Sequence, residues 1–526
     1  MHEFTAKYAH QIAGVLSGFD RLVFRGTLRQ ISYPFGLEGY LWANQVLLKD
    51  FGQHVEQVSE QVKAAALEKM QAAGRPVRYL YSSQEDKEQV ARAIAAEDGI
   101  GQGPVCALTC VEPCRSFEVH RNRETKQLDL VGRWRKCLFV YQYWQHPKLG
   151  WMNARIQTWF PFSIQICLNG REWLAQQLGQ RRIGFRKQDN CLVWVQDWRR
   201  AQRLLEQQLQ TDWVKLLDGI ARTLNPRHEE MFARLPLQYY WSTYQSEWAT
   251  DVVFDKAEDL RRLFPIWLRH AITTFQSADV LRFLGKKLTP HGEVPDRVRA
   301  EVTTSLKRRQ PGTRIKHWYG MNSLKAYDKA YSSVGATLRT EMTMQNPEDF
   351  KVYRHPEAEP DSPMRWYRLR KGVADLYRRA EICQKANERY LDALAAVDTT
   401  TTLRELIEDI QRPVIQPQKR SRALRPFSEP DVTLLEAISR GDFLLHGLRN
   451  GDLQNLLYDR PAADDKQQRQ RSAAVSRKLR LLRAHRLIRK VPHTHRYHVT
   501  ELGRHILPAV LAARQATLKS LNAMAA

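Results

Sequence analysis

Five carboxylates in this 526-residue chain stand where they could do chemistry: Asp20, Glu247, Asp251, Asp328 and Glu341. Each lies on or beside a segment that reads as a β-strand. Clustered Asp and Glu side chains hold Mg²⁺, and Mg²⁺ held in this way polarises a phosphate and activates water. Asp20 precedes the predicted strand 22–28, and Glu247 and Asp251 fall in the predicted strand 245–254. Asp328 and Glu341 belong to a block at 314–350. The competing account is that each acid pairs with one of the many nearby Arg and Lys side chains as a structural ion pair.

The block at 314–350 predicts a strand over 315–318, a turn at Gly320-Met321-Asn322, and strands over 323–328 and 337–343. Strand alternation puts Lys325, Tyr327 and Lys329 on one face and Asp328 on the other. A Lys-Tyr-Lys stripe beside Arg339 and Glu341 suits a phosphodiester. From a regular strand, Tyr327 and Asp328 cannot both point at one scissile phosphate. The run Lys325-x-Tyr327-Asp328-Lys329, followed by Leu338-Arg339-x-Glu341, resembles a pattern in the replication initiator proteins of filamentous phages and rolling-circle plasmids. That resemblance implies a tyrosine, Tyr327, that nicks one DNA strand with the help of a metal ion. The family's pair of histidines around one bulky apolar residue is absent from the body of the chain. Its nearest approximation, His493-Thr494-His495, lies near the C-terminus.

That C-terminal region carries a second pattern. Over 474–487 the residues Val475, Leu479 and Leu482 fall on one helical face. Arg477 and Arg480 fall on the opposite face, Ser476 and Arg483 flank it, and Ser472 is the expected N-cap. Residues 487–491 and 497–500 read as two strands around a turn at 492–495, bringing Lys490, His493, His495 and Arg496 into one ribbon. Upstream, 429–439 predicts a first helix and 443–445 a short strand. A further helix starts near Asn450, its expected N-cap, and a last one near Arg504. Helix, strand, helix, helix and ribbon resemble a winged helix-turn-helix domain over about 428–507. The resemblance implies duplex DNA as partner, with the third helix in the major groove and the ribbon beside it. A docking surface for protein is the alternative use of such a module.

Composition agrees with a polyanionic partner. Lys and Arg number 82 against 57 Asp and Glu, a formal net charge of +25. A protein this basic meets nucleic acid by default. No apolar run approaches the ~20 residues needed to span a bilayer, and the N-terminus does not read as a secretory signal. Both point to a cytoplasmic protein without a membrane partner. Cys106, Cys110 and Cys114 are evenly spaced, but they sit in a predicted strand over 105–111 and beyond. Residues four apart on a strand are ~13 Å apart, too far to share one zinc ion. The glycine-rich loop 99–103 lacks phosphate-loop and dinucleotide spacing.

The expected organisation is a multi-domain α/β (mixed α+β) body with a C-terminal winged helix-turn-helix domain. Residues 1–125 alternate strands (22–28, 77–81, 105–111) with helices (55–71, 84–96). Residues 126–400 form a Trp- and Arg-rich α+β body and candidate nucleic-acid-processing core. Its predicted strands cover 138–144 and 154–169, and its helices 257–275, 294–307 and 366–397. Arg133-Trp134-Arg135 and Trp198-Arg199-Arg200 are candidates for stacking on unpaired bases. Residues 401–427 read as a basic, proline-containing linker, and 428–526 as the DNA-binding domain.

Two functions are expected from this. The first is a DNA-binding protein of a mobile genetic element, replication-initiator-like or transposase-like, with Mg²⁺-dependent strand nicking on duplex or single-stranded DNA. The second is a non-catalytic regulator or architectural protein, oligomeric or bound to RNA. Convergence or scatter of the five carboxylates separates them.

Overall fold

A computed structural model describes residues 1–286, 297–307, 310–331, 335–356, 361–397, 402–416, 419–439, 447–458, 460–492 and 494–517. Its centre is an eleven-stranded mixed sheet built from β1 (Ile12–Leu28), β2 (Val77–Leu80), β3 (Gly103–Arg121), β4 (Leu128–His146), β5 (Gly150–Gln157), β6 (Ile164–Asn169), β9 (Tyr239–Phe254), β10 (Val298–Lys307), β11 (Gln310–Tyr319), β12 (Asn322–Tyr331) and β13 (Gly335–Met344). A separate hairpin, β7 (Phe185–Gln188) and β8 (Cys191–Val195), lies outside it. The strand order is β10-β11-β12-β13-β9-β1-β6-β5-β4-β3-β2. Among the described strands only β2 and β3 run parallel.

The central strands β1 and β9 are buried along most of their length because helices cover the sheet. On one face the helices Phe51–Ala72, Trp213–Leu224, Ala257–Thr274 and Leu376–Ala395 share the main core with Phe19, Leu22, Leu338 and Met342. On the other, the helices Gly170–Gln180 and Trp198–Gln208 and the β7–β8 hairpin pack around Leu16. Gly14 and Gly18 permit that approach. A Cβ on Gly14 would lie 2.1 Å from the Trp198 ring, and one on Gly18 2.9 Å from Leu205.

Several expectations change. The boundary at 125 falls in the turn between β3 and β4, whose strands pair from Gly103–Gln145 to Arg121–Leu128, so residues on both sides belong to one sheet. The expected strand over 154–169 is two, β5 and β6, because Pro161 has no N–H to donate to a ladder. The expected helix over 294–307 is β10 from Val298 onward, paired with β11. Its β-branched Val302 and Thr303 favour a pleated surface. The expected helix 366–397 begins only at Leu376, after a strand Arg365–Arg368 and Gly372, which bridges to Ser242.

The stretch expected as a linker is partly folded, with a helix Leu403–Glu408 and paired strands Val414–Gln416 and Lys419–Ser421. Leu424 is buried in the C-terminal core, and Arg422 donates to Asp431 at 2.7 Å.

The C-terminal unit has helices Glu429–Ile438, Asn450–Leu457, Asp465–Ala484 and Glu501–Gln515, with strands Ile488–Lys490 and Tyr497–Val499 paired antiparallel. Val475, Leu479 and Leu482 are buried at the expected spacing. The third helix is capped by Asp464, which accepts from the Gln467 N–H, and not by Ser472. Arg449, one residue before Asn450, occupies the cap position of the second helix. The strand expected at 443–445 lies outside the described residues. Among the described residues no helix is long and apolar enough to cross a membrane.

Candidate metal and phosphodiester site

Three of the five carboxylates converge. Asp20 of β1, Glu247 of β9 and Glu341 of β13 each offer an oxygen, and these oxygens lie within 4.8 Å of one another. A bulge makes this meeting possible. Across the β1–β9 ladder Phe19 faces Trp248 and Arg21 faces Glu247, which leaves Asp20 as the extra residue. A bulge turns two successive side chains toward one side of a sheet. Phe19 and Leu22 therefore enter the main core while Asp20 reaches the opposite face.

The neighbouring register completes the site. Lys325 lies opposite Glu341 and Tyr327 opposite Arg339 on β12 and β13. The Lys325 ammonium donates to Glu341 Oε1, and the Tyr327 hydroxyl donates to Oε2 at 2.9 Å. Arg339 Nη1 donates to Asp20 Oδ2 at 2.8 Å, and Arg339 Nη2 to Asp251 Oδ2 at 2.8 Å. The turn between β7 and β8 closes one side. There Asn190 Nδ2 donates to Asp20 Oδ2 at 2.6 Å, and its side-chain oxygen accepts from Lys329.

Burial and the adjacent Glu341 charge push Glu247 up to about 7. Burial also opposes ionisation of Glu341, but Lys325 and Arg339 outweigh it and hold that carboxyl down to about 2. Burial and the Glu341 charge raise the Tyr327 phenol well above its ordinary range. Near neutrality Glu247 therefore exchanges its proton with solvent, because burial first and the Glu341 charge second disfavour its ionised form. The donor set fits Mg²⁺ or Mn²⁺: all oxygen, three carboxylates, one of them ready to exchange a proton for a cation.

The other expected site residues fall elsewhere. Asp251 is buried between Arg339 and Arg171, the latter at 3.0 Å, and burial opposes ionisation but these cations hold it below its ordinary value. It pairs with two arginines and lies outside the three converging carboxylates. Asp328 lies on the opposite face of β12 from Tyr327 and accepts the Thr313 N–H at 3.2 Å. Its period-two position excludes it from the cluster. Arg339 and Lys329, expected to bind DNA, are buried and spend their charge on internal partners. Lys325 does line the site.

In the C-terminal unit Asn450 Nδ2 donates to the Ser472 carbonyl and to Ser476 Oγ, both at 2.9 Å. These serines join two helices. Arg477, Arg480, Arg483, Lys490 and His495 are exposed, and Arg496 is half-buried. His493 lies outside the described residues. Asn190, Asn169 and Arg171 support the site without having been anticipated. They come from a turn and a helix start far from β9 and β13 in the sequence, and nothing in their local pattern marks them. Compared with known proteins, the chain matches no family model, no curated protein and no solved structure.

Proposed function

We propose that this chain is a DNA-binding protein that cleaves a phosphodiester bond with a divalent cation, in the manner of a mobile-element replication or transposition protein. The observation that carries the reading is the convergence of Asp20, Glu247 and Glu341 from three separate strands, with Lys325 and Tyr327 against them. Asp20, Glu247 and Glu341 would hold the cation, which supplies positive charge to the phosphate and acidifies a water molecule. Lys325, partly exposed beside the cluster, would neutralise a phosphate oxygen. Arg339 and Asn190 fix Asp20, and Tyr327 fixes Glu341.

Water is the nucleophile in this reading. Tyr327 is buried, and its phenol is harder to ionise than a free one. The C-terminal unit, with helix Asp465–Ala484 and its following ribbon, acts as a winged helix that places Arg477, Arg480 and Arg483 against duplex DNA.

A second reading has one observation in its favour. Glu341 is already paired with Lys325 and Asp20 with Arg339, as they would be in a protein that binds without cutting. One experiment separates the two. The protein is incubated with supercoiled, single-stranded and duplex DNA in Mg²⁺, Mn²⁺ or EDTA. Cleavage that needs metal and disappears in Asp20→Asn and Glu341→Gln supports the enzyme. No cleavage of any DNA form leaves the binding protein.

A further inference from the structure

A second site of a different character lies where the C-terminal unit meets the body. A cavity of about 680 Å³ opens between the helix Ser277–Phe283, the end of helix Leu376–Ala395, the strand Ile488–Lys490 and the start of helix Glu501–Gln515. It shares no residue with the carboxylate cluster. Arg282, Arg489 and Arg504 all line it, with Asp279 as the one acid among its described lining residues. Asp279 Oδ1 accepts from both Arg282 at 2.9 Å and Arg504 at 3.0 Å. Arg489 sits opposite His498 in the ribbon register. Burial and then the charges of Arg489, Arg496, Arg282 and Arg504 hold the His498 imidazole below its ordinary range. Arg504 Nε is buried without a hydrogen-bond partner.

Aromatic side chains line it as well. Phe275 and Phe283 meet edge to face at 5.0 Å, and the imidazoles of His270 and His505 stack at 6.2 Å with 17° between their planes.

We infer that this cavity binds a nucleotide unit, either free or as part of a nucleic-acid strand. Among the described lining residues three guanidinium groups face one carboxylate, an excess that an anion relieves, and guanidinium pairs with phosphate in two-point contacts. Bare phosphate would leave the aromatic side chains unused. A flat ring on the Phe275–His270 side with phosphate on the arginine side uses both. The volume falls in the range of small-molecule sites. Because the walls come from both units, an occupied cavity fixes the C-terminal unit against the body.

The test uses the full chain in EDTA, so that the carboxylate cluster takes no part, and calorimetric titration with ADP, pyrophosphate and a short oligothymidylate. The variant is Arg489→Ala, whose side chain is exposed, so that melting followed by circular dichroism stays at the wild-type value. The oligothymidylate titration is run in an Arg477→Ala/Arg480→Ala background to silence the C-terminal helix. Binding of ADP that weakens about tenfold or more in Arg489→Ala, ~1.4 kcal/mol, supports the site and a free nucleotide. Binding of oligothymidylate alone, equally sensitive to Arg489, supports the site and assigns the nucleotide to a strand. Pyrophosphate binding as tight as ADP overturns the nucleotide assignment. Absence of binding by all three probes, or an Arg489→Ala protein that binds like wild type, overturns the site.

Discussion

Burial and the Glu341 charge leave Glu247 titrating near neutrality. Its folded value near 7 lies above the ~4.3 of an unfolded glutamate. Between these values the native protein holds a proton that the unfolded chain has lost. Stability therefore falls as pH rises through that window and stays low above it. Glu341 has the opposite sign: its depressed value contributes stability above ~4.3 that is lost as pH falls toward 2. Glu247→Gln should remove the first slope and stabilise the metal-free protein at pH 8 by ~1–2 kcal/mol, allowing for the solvent that reaches this side chain. Urea unfolding at pH 5 and pH 8 measures it, and parallel curves for wild type and variant would refute it. Stability sacrificed for a charge cluster is the usual mark of a working site. Tyr327→Phe probes the nucleophile. With water attacking, the variant keeps metal-dependent cleavage at a reduced rate, because only the hydrogen bond to Glu341 is removed. Abolished cleavage together with a wild-type protein–DNA adduct resistant to denaturation would make Tyr327 the attacking group instead.

At the level of elements, period-two alternation was enough to place Lys325 and Tyr327 on one face of β12 and Asp328 on the other. It could not place Asp20, because a bulge breaks the alternation on which the reading depends. Asn190 was invisible for a related reason. Its role is set by where the β7–β8 turn folds over β12 and β1, a long-range contact without a local signature. The C-terminal helix was legible in its core residues, Val475, Leu479 and Leu482, and illegible at its start, since Asp464 caps it well upstream of Ser472. Its exposed face leads to a direct prediction. Arg477→Ala/Arg480→Ala should weaken duplex binding, by ~1–3 kcal/mol for each base edge that the variant no longer reads. The log–log salt slope should fall by ~0.9 for each phosphate that the variant no longer neutralises. Fluorescence anisotropy across a salt series reads both, and unchanged affinity would move recognition off this helix.

The whole molecule joins a carboxylate cluster in one large sheet to a basic C-terminal unit that docks through Arg504 on Asp279. Its division into parts was the least legible feature. The turn at 122–127 looks like a domain boundary because helices and strands alternate before it and tryptophans gather after it, yet the β3–β4 ladder runs straight through. Long-range strand order depends on which faces find cover, and that is a property of the complete chain. Every functional statement about the body rests on one property, that Asp20, Glu247 and Glu341 together take a divalent cation. Titration of the metal-free protein with Mn²⁺, followed by electron paramagnetic resonance of the free ion, tests this without reference to any substrate. The account predicts saturable binding that strengthens from pH 6 to pH 8 as Glu247 yields its proton, and that disappears in Glu341→Gln. Mn²⁺ that stays free at pH 8, or binds equally to the Glu341→Gln protein, would contradict it.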